Sequence, residues 1–243
     1  MIRVEDAAAV RTIAMSRPEK RNALTTAMLG ELEHAFAVPD SIRAVALIGE
    51  GPVFCAGFDL FENAPDVELR SLRAQLSGLA AVLSVMRSSH AAIVAGVQGA
   101  AVAGGCALLG GCDLVIADRA AKLGYPVVRL GISPAVTGPY LRQSVGDGSA
   151  RAIMLDPMLL TSDAAHAMGL VSQVVNDAAE VAPAALAAAG RLASKPGLAI
   201  AETRRWLGVL SPMGDWTDVA RDASLAALDR DTFVRLQQEV WNR

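Results

Sequence analysis

Apolar and polar positions follow two rhythms along the first part of the chain, and the last part keeps only one of them. Residues 2–5 and 10–15 are short mixed runs that fit strands joined by a turn near Asp6. Leu29, Leu32 and Phe36 recur at helical spacing, which predicts a helix over 26–36 with Thr25 as its cap. Residues 43–48 read as an apolar strand that runs into Gly49-Glu50-Gly51-Pro52. Leu72, Leu76, Leu79, Leu83 and Met86 then step by threes and fours, the stripe of a helix turned to a core. A strand is expected over 113–117, and helices from about residue 134. Thr161-Ser162-Asp163 opens a short helix that Gly169 closes, and 170–175 reads as a strand. From residue 178 every segment is helical, including 197–210, 215–228 and 231–241. Strand–helix alternation followed by helices predicts an α/β core over 1–177 and a helical region over 178–243.

One stretch breaks the rhythm. Residues 91–112 contain no Asp, Glu, Lys or Arg and are long enough to span a bilayer. Gln98 and the glycines at 96, 99, 104, 105, 110 and 111 argue instead for a buried strand at Ile93-Val94-Ala95, a turn over 99–105 and a helix over 106–109. Composition supports a packed interior, with 53% apolar and 19% charged residues. Basic and acidic residues number 22 and 25, for a net charge of −3 without any like-charged block. A nucleic-acid or membrane-surface partner is therefore not expected. Met1-Ile-Arg-Val-Glu-Asp places two acids where a signal peptide needs an apolar run, so a cytoplasmic location is expected. Cys55, Cys106 and Cys112 form no Cys-x-x-Cys pair and have no histidine beside them. That pattern fits neither a disulfide framework nor a metal site, and it suits a reducing compartment.

Candidate chemistry is sparse. His34, His90 and His166 fall in or beside apolar segments and are expected to be surface or partner-satisfied residues rather than bases. No Walker A sequence, Gly-x-Ser-x-Gly elbow or His-Glu-x-x-His is present, and no Gly-x-Gly-x-x-Gly follows the first strand. Two glycine-bearing turns remain, Phe54-Cys-Ala-Gly-Phe-Asp-Leu60 and Ala101-Val-Ala-Gly-Gly-Cys-Ala107. Two readings stand side by side. The glycines serve tight packing, or the turns offer unladdered N–H groups that converge on an oxygen acquiring negative charge.

Seven segments carry a resemblance. They are Arg17-Pro-Glu-Lys-Arg-Asn-Ala-Leu24, Phe54-Cys-Ala-Gly-Phe-Asp-Leu60, Val97-Gln-Gly-Ala-Ala-Val-Ala-Gly-Gly-Cys106, Cys112-Asp-Leu-Val-Ile-Ala117, Gly131-Ile-Ser-Pro134, Ala165-His-Ala-Met-Gly-Leu-Val171 and Lys195-Pro-Gly-Leu-Ala199. In order and spacing they resemble the enoyl-CoA hydratase/isomerase (crotonase) superfamily. The resemblance implies a crotonase-type α/β spiral of ββα units with a C-terminal helical trimerisation region. It also implies a homotrimer or hexamer. The implied ligand is an acyl-CoA thioester of fatty acid metabolism, with no cofactor beyond its coenzyme A moiety and no metal. Apolar residues in the tail fit such a ring: Val219, Leu225, Leu228, Phe233, Leu236 and Val240.

By position, the implied oxyanion-hole donors are the backbone N–H groups of Phe58 and Gly104. The implied coenzyme A contacts are Arg21, Ala23, Leu24, Ala56, Phe58, Asp59, Leu60, Phe61 and Gly104. The family's two catalytic glutamates correspond to Ala107 and Val127 here, so ordinary hydration is doubtful. Asp59 is a candidate acid–base group in a position that is usually structural, and Glu62, Tyr125, Ser133, Thr137 and Tyr140 are the other polar residues near the motifs. Arg129 is expected to form a structural ion pair. The function implied is a lyase- or isomerase-type acyl-CoA enzyme that stabilises a thioester enolate. A non-catalytic acyl-CoA binding protein is the alternative.

Overall fold

The computed structural model describes residues 1–60, 69–210, 217–226 and 228–241. A six-stranded sheet in the order β1-β2-β3-β4-β6-β9 forms its centre. Its strands are β1 (Ile2–Ala7), β2 (Val10–Met15), β3 (Ala44–Gly49), β4 (Ala92–Val97), β6 (Leu114–Asp118) and β9 (Gln173–Val175). The β1–β2 pair is an antiparallel hairpin and every later pairing is parallel. Parallel strands carry helices on both faces, which is why β3 and β4 read as continuous apolar runs.

The two faces divide by the period of two. Ala44, Ala46, Val94 and Ile116 pack against α6 (Ala178–Ala193), which supplies Val181, Ala185, Ala188 and Ala189. Val45, Leu47, Ile93, Ala95 and Val115 join the opposite cluster with Leu29 and Leu32 of α1 (Thr26–Phe36) and Leu79 and Leu83 of α2 (Arg70–Ser88). Small residues let α6 approach closely: a methyl group on Gly96 would sit 3.1 Å from the Ala185 methyl. The helical region thus begins with a helix that covers the sheet.

Sequence expectations hold for α1, including the Thr25 cap, whose hydroxyl accepts the Met28 N–H at 3.0 Å. They hold also for α2, α5 (Ser162–Ala167) and α7 (Gly197–Leu210). Three corrections follow from pairing between distant segments. The expected turn over 99–105 contains strand β5 (Ala100–Val102), and α3 (Gly104–Leu109) begins two residues earlier than expected. β5 pairs with β7 (Lys122–Gly124), which pairs with β8 (Leu160–Thr161), in a second sheet with no periodic signal. The strand expected over 170–175 is confined to Gln173–Val175. No described helix is long and apolar enough to cross a membrane.

Beyond β7 the chain makes a 3-10 turn at Pro126–Leu130 and enters α4 (Gly138–Leu155). The last helices are α8 (Thr217–Leu225) and α9 (Arg230–Trp241). They fold back onto this part of the chain. Ser133 N–H donates to the Ser224 carbonyl at 3.0 Å, and Leu228 and Leu236 press on Gly131. Leu225 and Phe233 are buried by this packing, so part of the tail surface expected to serve assembly is used inside the chain. Val219 stays exposed, and the Val240 side chain lies outside the described residues.

Candidate active site

The first glycine turn is fixed by a net of main-chain bonds. Leu24 N–H donates to the Gly57 carbonyl at 2.7 Å, Asp59 N–H to Leu24 at 2.8 Å, and Ala56 N–H to Arg21 at 3.0 Å. On its other side Cys55 N–H bonds Ala100, and Val102 N–H bonds Cys55. The turn is therefore stitched between the Arg21–Leu24 segment and β5. Gly57 has φ +96°, which switches the side on which the following peptide group points. Phe58 N–H is left without a partner among the described residues, because Leu24 bonds its two neighbours instead.

Two side chains that sequence patterns did not single out hold this net. Asn22 is fully buried with φ +53°; its amide donates to the carbonyls of Glu50 at 2.9 Å and Val53 at 2.8 Å, and its oxygen accepts Arg17 N–H at 2.8 Å. Buried Gln75 on α2 donates to the carbonyls of Leu24 and Asp59 at 3.2 and 3.1 Å. Both lie inside recognisable segments, but nothing in the sequence says which carbonyls they reach.

The second turn meets the first. Ala103 N–H bonds the Gly124 carbonyl at 2.8 Å and Ala103 itself has φ +52°, a left-handed conformation at the entry to α3. Gly104 N–H has no partner among the described residues. A methyl group on Gly57 would sit 3.5 Å from the Gly104 nitrogen, and one on Gly104 would sit 3.2 Å from the Phe58 ring. On Gly105 it would lie 2.5 Å from the Cys55 carbonyl oxygen, so only glycine allows α3 to start here.

Both turns border a cavity of about 590 Å³, within the usual range for small-ligand sites. Of the residues implied by resemblance, Ala56, Phe58, Leu60, Gly104 and Val127 line it. Leu24 is buried behind the turns, Arg21 is exposed, Ala23 is half-buried, and Ala107 is buried in α3. Asp59 lies outside the lining, with its carboxylate 3.1 Å from the Arg17 guanidinium. Phe61 and Glu62 fall outside the described residues. Among the described lining residues there is no aspartate, glutamate or histidine.

Two hydroxyls that line the cavity, those of Thr137 and Ser224, are engaged by main-chain carbonyls. Burial drives the pKa of the Tyr125 phenol well above the usual value. Burial likewise pushes the Cys106 thiol up to about 12. Thr137 donates to the Pro134 carbonyl at 3.2 Å and Ser224 to Ala220 at 2.8 Å. Lys122 and Arg129 border the cavity with exposed side chains. Arg129 is a correction: it makes no ion pair among the described residues and only reaches the Met158 sulfur at 4.0 Å. The ion pair expected of it fails because the 3-10 turn points it to solvent. His34, His90 and His166 each face a main-chain carbonyl, at 2.8, 3.1 and 2.8 Å, and none lines the cavity.

The family model for enoyl-CoA hydratase/isomerase matches residues 5–208. The chain belongs to the enoyl-CoA hydratase/isomerase family. A crotonyl-CoA hydratase of Syntrophomonas wolfei is 33% identical over 220 residues, covering 88% of this chain and 82% of that protein. An enoyl-CoA hydratase of Alternaria alternata is 31% identical over 193 residues. That match covers 77% of this chain but 64% of the relative, just under two thirds of its length. The solved structure of an enoyl-CoA hydratase/isomerase from Xanthobacter autotrophicus Py2 superposes with a TM-score of 0.87 at 26% identity, covering 99% of this chain and 93% of that one. The mixed α/β architecture with its helical C-terminal part is the crotonase fold of this enoyl-CoA hydratase/isomerase family.

Proposed function

We propose that this family member is an acyl-CoA enzyme that holds a thioester oxygen between the N–H groups of Phe58 and Gly104 and stabilises the enolate formed there. The convergence of two unpartnered N–H groups at one cavity carries the reading. Donors held in place before reaction stabilise developing charge without reorganising, and removing one typically lowers the rate by ~10²–10³. The coenzyme A portion runs along Ala56 and Leu60, with the Arg21–Leu24 turn at its adenine end, and no further cofactor is called on. Asp59 serves the first turn through Arg17 rather than the substrate.

The glutamates that handle water and the α-proton in hydratases are replaced by Ala107 and Val127. Each such group typically contributes ~10²–10⁴, so hydration of crotonyl-CoA is expected to be slow. The same lack favours a second reading, a non-catalytic binder of acyl-CoA esters. Exchange of the α-proton of an acyl-CoA in deuterated water, followed beside turnover and binding, separates the two. Exchange in the native chain that falls at least tenfold in folded Gly104→Pro supports the enzyme. Tight binding with neither exchange nor turnover overturns it in favour of the binder. Adding carboxylates by Ala107→Glu with Val127→Glu is expected to speed hydration, and brisk native hydration would refute the assignment.

We also infer assembly as a trimer or hexamer in the cytoplasm. Leu198, Trp206, Leu207 and Leu210 on α7 remain exposed and offer an apolar face for a ring. Light scattering that finds a monomer at micromolar concentration would count against it.

A further inference from the structure

The buried part of the cavity lining holds three hydroxyls, and two are committed: Thr137 bonds the Pro134 carbonyl and Ser224 the Ala220 carbonyl. The third is not. Tyr125 is 2% exposed and lines the cavity, yet no described residue accepts its hydroxyl hydrogen in a well-formed bond. A buried donor without an acceptor costs free energy, so a ligand gains by supplying one. Ser133, Lys122 and Arg129 also line the cavity, but all three are exposed and stand at its solvent border.

The second sheet sets the position of this phenol. β5 and β7 run parallel with Val102 paired to Gly124, and one step beyond that pair stand Ala103 and Tyr125. The Ala103 N–H still bonds the Gly124 carbonyl at 2.8 Å. Tyr125 therefore leaves the main chain beside the residue that precedes the Gly104 donor, and both border one cavity. Cys106 of α3 and Thr137 before α4 are close enough to act on the phenol's titration. Lys122 and Arg129 are the charged groups of the described lining, where no carboxylate or imidazole competes for a proton. Burial keeps the phenol protonated at neutral pH. An arginine does not give up its proton, and serine and threonine hydroxyls are far weaker acids than a phenol. We propose that Tyr125 is the catalytic proton donor of this site, its hydroxyl passing a proton to the α-carbon of the enolate held by the Phe58 and Gly104 N–H groups. In that step the enolate π pair forms the new C–H bond, the thioester carbonyl is restored, and the phenol O–H bond breaks to leave phenolate. Phenolate takes its proton back from water and releases hydroxide to the solvent. In reverse, phenolate removes an α-proton and the C–H pair moves onto the oxygen between the two N–H groups. The proposal rests on the enolate reading given above.

Exchange of the α-protons of butanoyl-CoA in deuterated water tests it on the full chain, with affinity for the same ester read by calorimetry. Tyr125→Phe is expected to slow exchange by about 10²-fold or more, as for other positioned acid–base groups, while affinity changes by less than about threefold. Tyr140→Phe, on α4 and outside the lining, is expected to leave exchange unchanged. Native exchange is expected to climb from about pH 7 to pH 10, because removal of the α-proton needs phenolate, and Tyr125→Phe is expected to lose that climb. Fluorotyrosine carries a more acidic phenol. Supplied to Tyr140→Phe, whose only tyrosine is Tyr125, it is expected to move the whole profile to lower pH. A packing role would change affinity or folding and leave the profile in place. Undiminished exchange in folded Tyr125→Phe, or a profile that fluorotyrosine does not move, would overturn the proposal. If exchange survives Tyr125→Phe yet is lost in folded Gly104→Pro, the enolate reading stands without Tyr125. If the native chain exchanges nothing at any pH, the enolate reading falls, and this proposal with it.

Discussion

Around Gly57 and Gly104, position is set by directional bonds: Asn22 and Gln75 between them bind five main-chain groups, and a side chain on neighbouring Gly105 would collide with the Cys55 carbonyl. The wall made by α2 and α8 is set differently, by carbon packed on carbon, with one main-chain bond from Ser133 to Ser224 and one exposed ion pair from Arg73 to Asp222 at 3.5 Å. Hydrogen bonds lose their strength within a few tenths of an ångström and a few tens of degrees, so they can hold an N–H on target. Apolar contact is non-directional and roughly proportional to area, so it tolerates occupants of varied shape. One side of the cavity is held by directional bonds, and the other by non-directional packing.

That contrast can be broken most forcefully at Asn22. Asn22→Leu leaves the Glu50 and Val53 carbonyls and the Arg17 N–H unpaired in the interior, each at ~1–3 kcal/mol. The total loss is expected to be about 3 kcal/mol or more, read by urea unfolding. A loss under 1 kcal/mol would mean that the turns do not depend on this side chain.

High pH probes the same side more gradually. Cys55 and Cys106 lie under the two turns and Cys112 follows α3, and burial raises each thiol from 9.0 to about 12. The folded state holds these thiols neutral, while the unfolded chain ionises them near 9.0. Their contribution is therefore complete below pH 9 and is lost as pH climbs toward 12. The melting temperature is expected to fall between pH 9 and 11, and less steeply in Cys106→Ala. Identical slopes in the two proteins would show that the thiols play no part.

The smallest effect is expected at the other wall. Arg73→Ala removes an ion pair whose partners are both about half exposed, which is worth ~0–1 kcal/mol at most. A shift in denaturation midpoint larger than that would show that α8 is held by charge rather than by packing.

By itself the sequence determined the helices with a clean stripe, such as α1 and α2, and the strands buried on both faces, because periodicity is a local consequence of burying one side of a regular element. It also located the two turns. Tertiary structure alone decided what those turns do. Strands β5, β7 and β8 are two or three residues long and exist through pairing with each other, across sequence gaps that carry no period. Arg129 looked like an ion-pairing residue, yet no carboxylate among the described residues folds near enough to meet it. Ser224 carries no signal within its helix; it belongs to the cavity because the chain returns some ninety residues later to bond Ser133. The Thr137 hydroxyl reads as polar in the sequence, and only folding assigns its hydrogen to the Pro134 carbonyl.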